Sequence, residues 1–228
     1  MKSISELINN EEPGWKLVSE RINDATNKIE ILPKNKKQAD SALYHTQVTT
    51  RSPMGGIIYE TGGILVDNGW LRILGSGNNK LDRTLPNWNK GKTFKEYGEQ
   101  PSIFLIADDV VGGFFGINGG ALGDDLGNVY YFAPDSLEWK PMDIGYSDFI
   151  WWAFSGDLSE FYKNVRWTNW EKEVTEINGS QVYSFYPFLW TKHENINDLS
   201  RKAVPISEIW ELHQKFAEQL IKPAYNKV

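Results

Sequence analysis

The sequence predicts an α+β fold: a single, mostly antiparallel meander sheet of about six strands with helices before and after it. Three observations predict it. Apolar residues recur at helical spacing through the first sixty or so positions and again after Met142. Between these regions, residues 64–140 carry short apolar runs separated by turn residues. Helices and strands are grouped rather than alternating, which points to segregated layers instead of a parallel βαβ sheet.

Each element has a local reason. Ser3-Ile4-Ser5-Glu6 has the spacing of a capping box. Pro13 ends or restarts that helix, and Trp15, Val18 and Ile22 then share one helical face. Ile29-Glu30-Ile31-Leu32 runs into Pro33, and Lys36 to Thr46 is helical again. Ser52-Pro53 opens a short helix, proline being pre-shaped for the first helical position, and Gly62-Gly63 stops it. Ile64-Leu65-Val66 and Trp70 to Leu74 flank Asp67-Asn68-Gly69, a strong hairpin signal. Gly75 to Gly98 is a polar excursion with a short helix near Trp88.

Ile103-Phe104-Leu105-Ile106 has the character of a central strand, Asp108-Asp109 of a turn, and Gly113 to Ile117 of the next strand. A glycine-rich acidic loop follows, then Val129 to Phe132 and Leu137-Glu138-Trp139. Ser147, Asp157 and Thr168 mark helix starts. Val182 to Trp190 is β-prone apart from Pro187 and is expected to be an edge strand. Ser207 opens the last helix, with Ile209, Leu212, Phe216 and Leu220 on one side and Pro223 beyond its end.

With 228 residues, 40% of them hydrophobic, the chain is long enough to bury a core without staples. One α+β domain is expected over residues 1–228, with a core at 50–166 and a helical, aromatic extension at 167–228. The sequence has no cysteine, which excludes disulfides, thiolate metal sites and a cysteine nucleophile. Net charge is −6, and apart from Lys34, Lys36 and Lys37 the basic residues are scattered, so nucleic-acid binding is not expected. The N-terminus is polar and no apolar run approaches the ~18 residues of a membrane span. A cytoplasmic location is therefore expected.

The order Ile106-Ala107-Asp108-Asp109, Gly112-Gly113-Phe114-Phe115-Gly116-Ile117, Gly127-Asn128-Val129-Tyr130-Tyr131-Phe132 and Leu137-Glu138-Trp139, leading to the helix from Ser147, resembles the SUKH superfamily. Asn68-Gly69-Trp70-Leu71-Arg72-Ile73 fits an earlier strand pair of that fold. Over nearly its full length the chain resembles an uncharacterised bacterial family, the domain of unknown function 2625. The matching stretches include Gln47 to Pro53, Asp67 to Gly77, Ile117 to Gly123 and Ser184 to Thr191. The SUKH resemblance implies a non-catalytic module of toxin-immunity type that binds a toxin-like protein partner; the acidic balance could attract a basic one, and no cofactor is expected.

Candidate residues follow from chemistry. If the segments holding Asp108-Asp109 and Asp124-Asp125 meet, four carboxylates could hold a hard cation or serve a metal-assisted hydrolase. Turn chemistry explains the same residues more simply. The glycines of Gly119 to Gly123 lack the lysine and hydroxyl of a phosphate loop. His45, His193 and His213 have no ligand spacing, so no metal or catalytic set is identified. Arg51, among small hydroxyl residues, could clamp an anion or brace its loop against an acid. Trp151 and Trp152 point about 100° apart on a helix, and Tyr130 and Tyr131 alternate on a strand. Some rings are then left for a contact surface or a small-ligand site, unless the C-terminal extension covers them. The expected contact set is Asp108, Asp109, Asp124, Asp125, Tyr130, Trp151 and Arg51.

Overall fold

The computed structural model describes residues 1–221, so Pro223 lies outside the described residues. The helices are α1 (Ile4–Leu7), α2 (Gly14–Asn23), α3 (Lys36–Thr46), α4 (Pro53–Glu60), α5 (Leu85–Asn89), α6 (Tyr146–Ser155), α7 (Leu158–Phe161), α8 (Trp170–Val174) and α9 (Ile206–Ile221). Seven strands pair antiparallel in sequence order: β1 (Ile29–Pro33), β2 (Thr61–Val66), β3 (Leu71–Leu74), β4 (Ile103–Asp109), β5 (Phe114–Asn118), β6 (Asn128–Ala133) and β7 (Glu138–Gly145). The meander is therefore present, with one strand more than expected. That strand is β1, in which Pro33 is tolerated because an edge position needs no ladder bond from it.

The register sorts side chains into rows across the sheet. Glu30, Leu65, Arg72, Asp108, Phe114, Phe132 and Trp139 stand opposite one another on successive strands. Ile31, Ile64, Ile73, Ala107, Phe115, Tyr131 and Lys140 form the adjacent row and face the other way. α6 closes the second face, with Phe149 and Trp152 against Phe115 at 5.0 and 6.0 Å between ring centroids. α9 closes the first: Trp210 meets Phe114 edge-on at 4.9 Å, and His213 packs on Phe114 and Phe132.

β8 (Gln181–Tyr186) is not an edge strand of the main sheet. It pairs with β9 (Ser200–Pro205) as a separate hairpin, laid on the meander through a Tyr183 N–H bond to the Val110 carbonyl at 2.7 Å. Arg201 grips Glu173 with two hydrogen bonds of 2.8 and 2.6 Å, tying the hairpin to α8. The C-terminal part buries most of the aromatic surplus. Trp70 sits at the centre of Tyr162, Trp167 and Trp170, at 5.3, 5.5 and 4.9 Å.

Candidate functional site

Asp108 and Asp109 do not turn the chain. They are the last two residues of β4, both fully buried. Successive strand residues point to opposite faces, so the pair is split through the sheet. Asp108 faces the C-terminal extension, where Arg72 and Arg83 each approach one of its oxygens at 2.7 Å. The Arg72 contact is an ion pair; the directed bonds of that guanidinium go to the Gln181 carbonyl at 2.6 Å and the Asp109 carbonyl at 2.8 Å. Arg83 also donates to the Gly179 carbonyl at 2.6 Å and lies over the Trp88 ring. Burial pulls the Arg72 guanidinium below its ordinary range, against the pull of Asp108.

Asp109 faces the α6 side. One oxygen accepts from Val111 N–H at 3.1 Å and Gly113 N–H at 2.8 Å, and the other accepts from the Tyr131 hydroxyl at 2.7 Å. Burial pushes its carboxyl up to about 6, although these hydrogen bonds and Arg72 favour the ionised form. A Cβ at position 113 would stand 2.3 Å from the Tyr131 hydroxyl and 2.4 Å from Asp109 Oδ2, so only glycine leaves room for the bond. On the same hairpin Gly112 has φ +83° and lies against Ile209 and His213. Burial lowers the His213 ring to about 4, which keeps it neutral against the Phe114 and Phe132 rings.

Asp124 and Asp125 are in the loop between β5 and β6, at the far end of β5. Asp125 accepts from the Tyr130 hydroxyl at 2.8 Å, and from the amides of Asn118 and Asn128 at 3.0 and 3.1 Å. The Tyr130 bond leads the causes that hold this carboxyl below its usual range. Four strand steps of β5 separate the two pairs, about 14 Å. They do not converge, and among the described residues no three His, Asp or Glu side chains gather as a metal site requires. The condition for four carboxylates to act together, that the two segments meet, is not fulfilled in this geometry. Tyr130 and Tyr131 alternate as expected, yet both are buried, each hydroxyl held by a different aspartate.

Arg51 pairs with Glu12 at 2.7 Å on the surface. Trp151 is half-buried beneath the Arg21 guanidinium. Neither joins the buried cluster. The residues that sequence reasoning missed are Arg72 and Arg83. A signal for the first was present: an arginine in the middle of Trp70-Leu71-Arg72-Ile73-Leu74, a strand otherwise wholly apolar, needs a buried counter-charge.

A groove of about 580 Å³ lies at the Asp124-Asp125 end of the sheet. Val48 and Met54 line it from the α3–α4 side, Phe104 and Ile117 from the sheet, Phe94 from the excursion and Leu126 from the β5–β6 loop. Leu126 is 69% exposed, unusual for an aliphatic side chain beside apolar neighbours. Glu99 also lines the groove, and Asp124 and Asp125 directly precede Leu126 in the same loop.

Fold and site together define an α+β protein with an antiparallel meander, a sealed ionic cluster through its centre and an open apolar groove at one end. The chain belongs to the family of proteins of unknown function DUF2625, whose model matches residues 4–209. It is 45% identical over 218 residues to the putative uncharacterized protein YbfG of Escherichia coli, covering 96% of this chain and 98% of that one. It is 43% identical over 189 residues to an uncharacterized protein of Haemophilus influenzae, covering 83% of each. No solved structure matches. No helix among the described residues is long and apolar enough to cross a membrane.

Proposed function

We propose that this protein is a non-catalytic binding module that captures a segment of a protein partner, of toxin-immunity type. The observation that carries the reading is the groove. Its floor is apolar, its mouth is open, and Leu126 stands exposed at its margin beside Asp124 and Asp125. An apolar anchor flanked by lysine or arginine fits that combination, with the anchor supplying affinity and the charges supplying orientation. The immunity aspect rests on the SUKH resemblance of the central strands. The ionic cluster supports a structural reading of its own residues, since Asp108 and Asp109 turn inward and spend their oxygens on internal partners.

Panning a random heptapeptide library against the full chain tests this. The expected result is enrichment of an apolar residue next to Lys or Arg, weakened by salt and abolished by Leu126→Lys or Glu99→Lys. No enrichment, or enrichment indifferent to both substitutions, overturns the groove as the binding surface.

A further inference from the structure

At Asp108 two guanidiniums meet a single carboxylate. Arg72 and Arg83 share that one carboxylate, while Asp109 is turned to the other face and bonded there by Tyr131, Val111 and Gly113. Asp109 still attracts Arg72 across the sheet, though less than Asp108 does, so the two buried guanidiniums have room for a further anion. Arg72 also has a donor to spare. Its side chain is 2% exposed, Nη1 and Nη2 are bonded to carbonyls, and Nε–H has no partner among the described residues. The same side chain lines a cleft of about 340 Å³ between β1–β3 and the turn that follows α8.

The lining of that cleft is mixed in a useful way. Lys80 brings a second cation, and Asn79 and Asn178 bring amides. Leu65, Val110 and Val174 form apolar walls. Two carboxylates are also present: Glu30, bonded to Lys80, and exposed Glu176.

We propose that this cleft binds a small organic oxyanion, a carboxylate or phosphate monoester with a short carbon body, through Arg72 and Lys80. A planar guanidinium matches the geometry of either headgroup, and the lysine acts as a point charge at the mouth. The apolar walls take the carbon body, so a bare inorganic ion uses only part of the site. The cleft lies between the meander and the C-terminal extension, because Arg72 bonds Gln181 of β8. An occupied site therefore braces the two against each other.

Thermal unfolding of the full chain tests the proposal, with isobutyrate, acetate and inorganic phosphate as probes against chloride at matched ionic strength. A saturable rise in Tm with an oxyanion, larger for isobutyrate than for acetate, is the expected result. The carboxylate and phosphate arms then decide which headgroup the site prefers. Arg72 is too embedded for its removal to be informative, so the variants are at the exposed mouth. Lys80→Gln, which keeps the length and removes the charge, is expected to weaken binding by about tenfold or more, read as the ligand-induced rise in Tm over the variant's own ligand-free value. Asn79→Trp is expected to do the same by filling the entrance. The proposal is overturned if every oxyanion tracks chloride, or if saturable binding is unchanged in both variants.

Discussion

Asp108-Asp109 and Asp124-Asp125 are the same dipeptide at the two ends of the β4–β6 hairpins, and they have opposite fates. The first pair ends a strand, so its side chains part through the sheet, each into a dry environment with its own partners. The second sits in a loop, where Asp124 stays in solvent and Asp125 draws Tyr130, Asn118 and Asn128 around itself. A carboxylate in the sheet is held by what it would cost to leave unpaired, whereas one in the loop arranges its neighbours under solvent screening. The functional consequence follows from the same contrast. The sheet pair is sealed inside, and the loop pair stands beside the groove that is open to a partner.

The sharpest way to break the comparison is Arg72→Met. It removes the bonds that tie β3 to the Gln181 and Asp109 carbonyls while leaving Asp108 paired with Arg83, and is expected to cost about 2–4 kcal/mol in urea unfolding, from two carbonyls that lose a donor. Gly113→Ala forces a methyl group between Tyr131 and Asp109, for an expected loss of about 1–3 kcal/mol. A loss near zero in either would mean the cluster is looser than its geometry implies.

The pH dependence is expected to be smaller, and it has a definite sign. Asp109 is raised from 3.8 to about 6, so its contribution is present in acid and lost as pH rises through about 6. His213 is lowered from 6.5 to about 4, so its contribution is present above 6.5 and lost as pH falls through about 4. Between pH 4 and 6 the two oppose each other. Asp109→Asn therefore leaves His213 unopposed, and stability should fall more steeply on acidification than in the native protein. His213→Gln leaves Asp109 unopposed, and stability should rise instead. Urea midpoints measured every half pH unit check both slopes. Smallest of all is Tyr130→Phe, which removes the hydroxyl from Asp125 at the solvent-screened end and should leave the urea midpoint close to the native value. A large loss there would erase the distinction between the two aspartate pairs.

Much of the fold was legible in the sequence because it depends on local period and punctuation. Asp67-Asn68-Gly69 does turn between β2 and β3, with φ positive at all three residues. Asp157 does cap α7. The first strand was not legible, since Ile29 to Pro33 is short, largely exposed and at an edge, where burial leaves a weak imprint. The site was legible only in part. The Asp108-Asp109 dipeptide has the composition of a turn, and the two strand-borne faces that separate its members leave no trace in spacing. Arg83, the partner of Asp108, comes from the polar excursion 25 residues away and carries no motif.

By itself the sequence determined the segregated α+β order, the meander and most turn positions, because these follow from side-chain periodicity, glycine and proline. Tertiary structure alone decided which carboxylates are buried, which guanidiniums meet them and where a surface stays open. Those outcomes depend on strand register and on how the C-terminal extension lies across the sheet. Both are set by the summed packing of residues far apart in the chain.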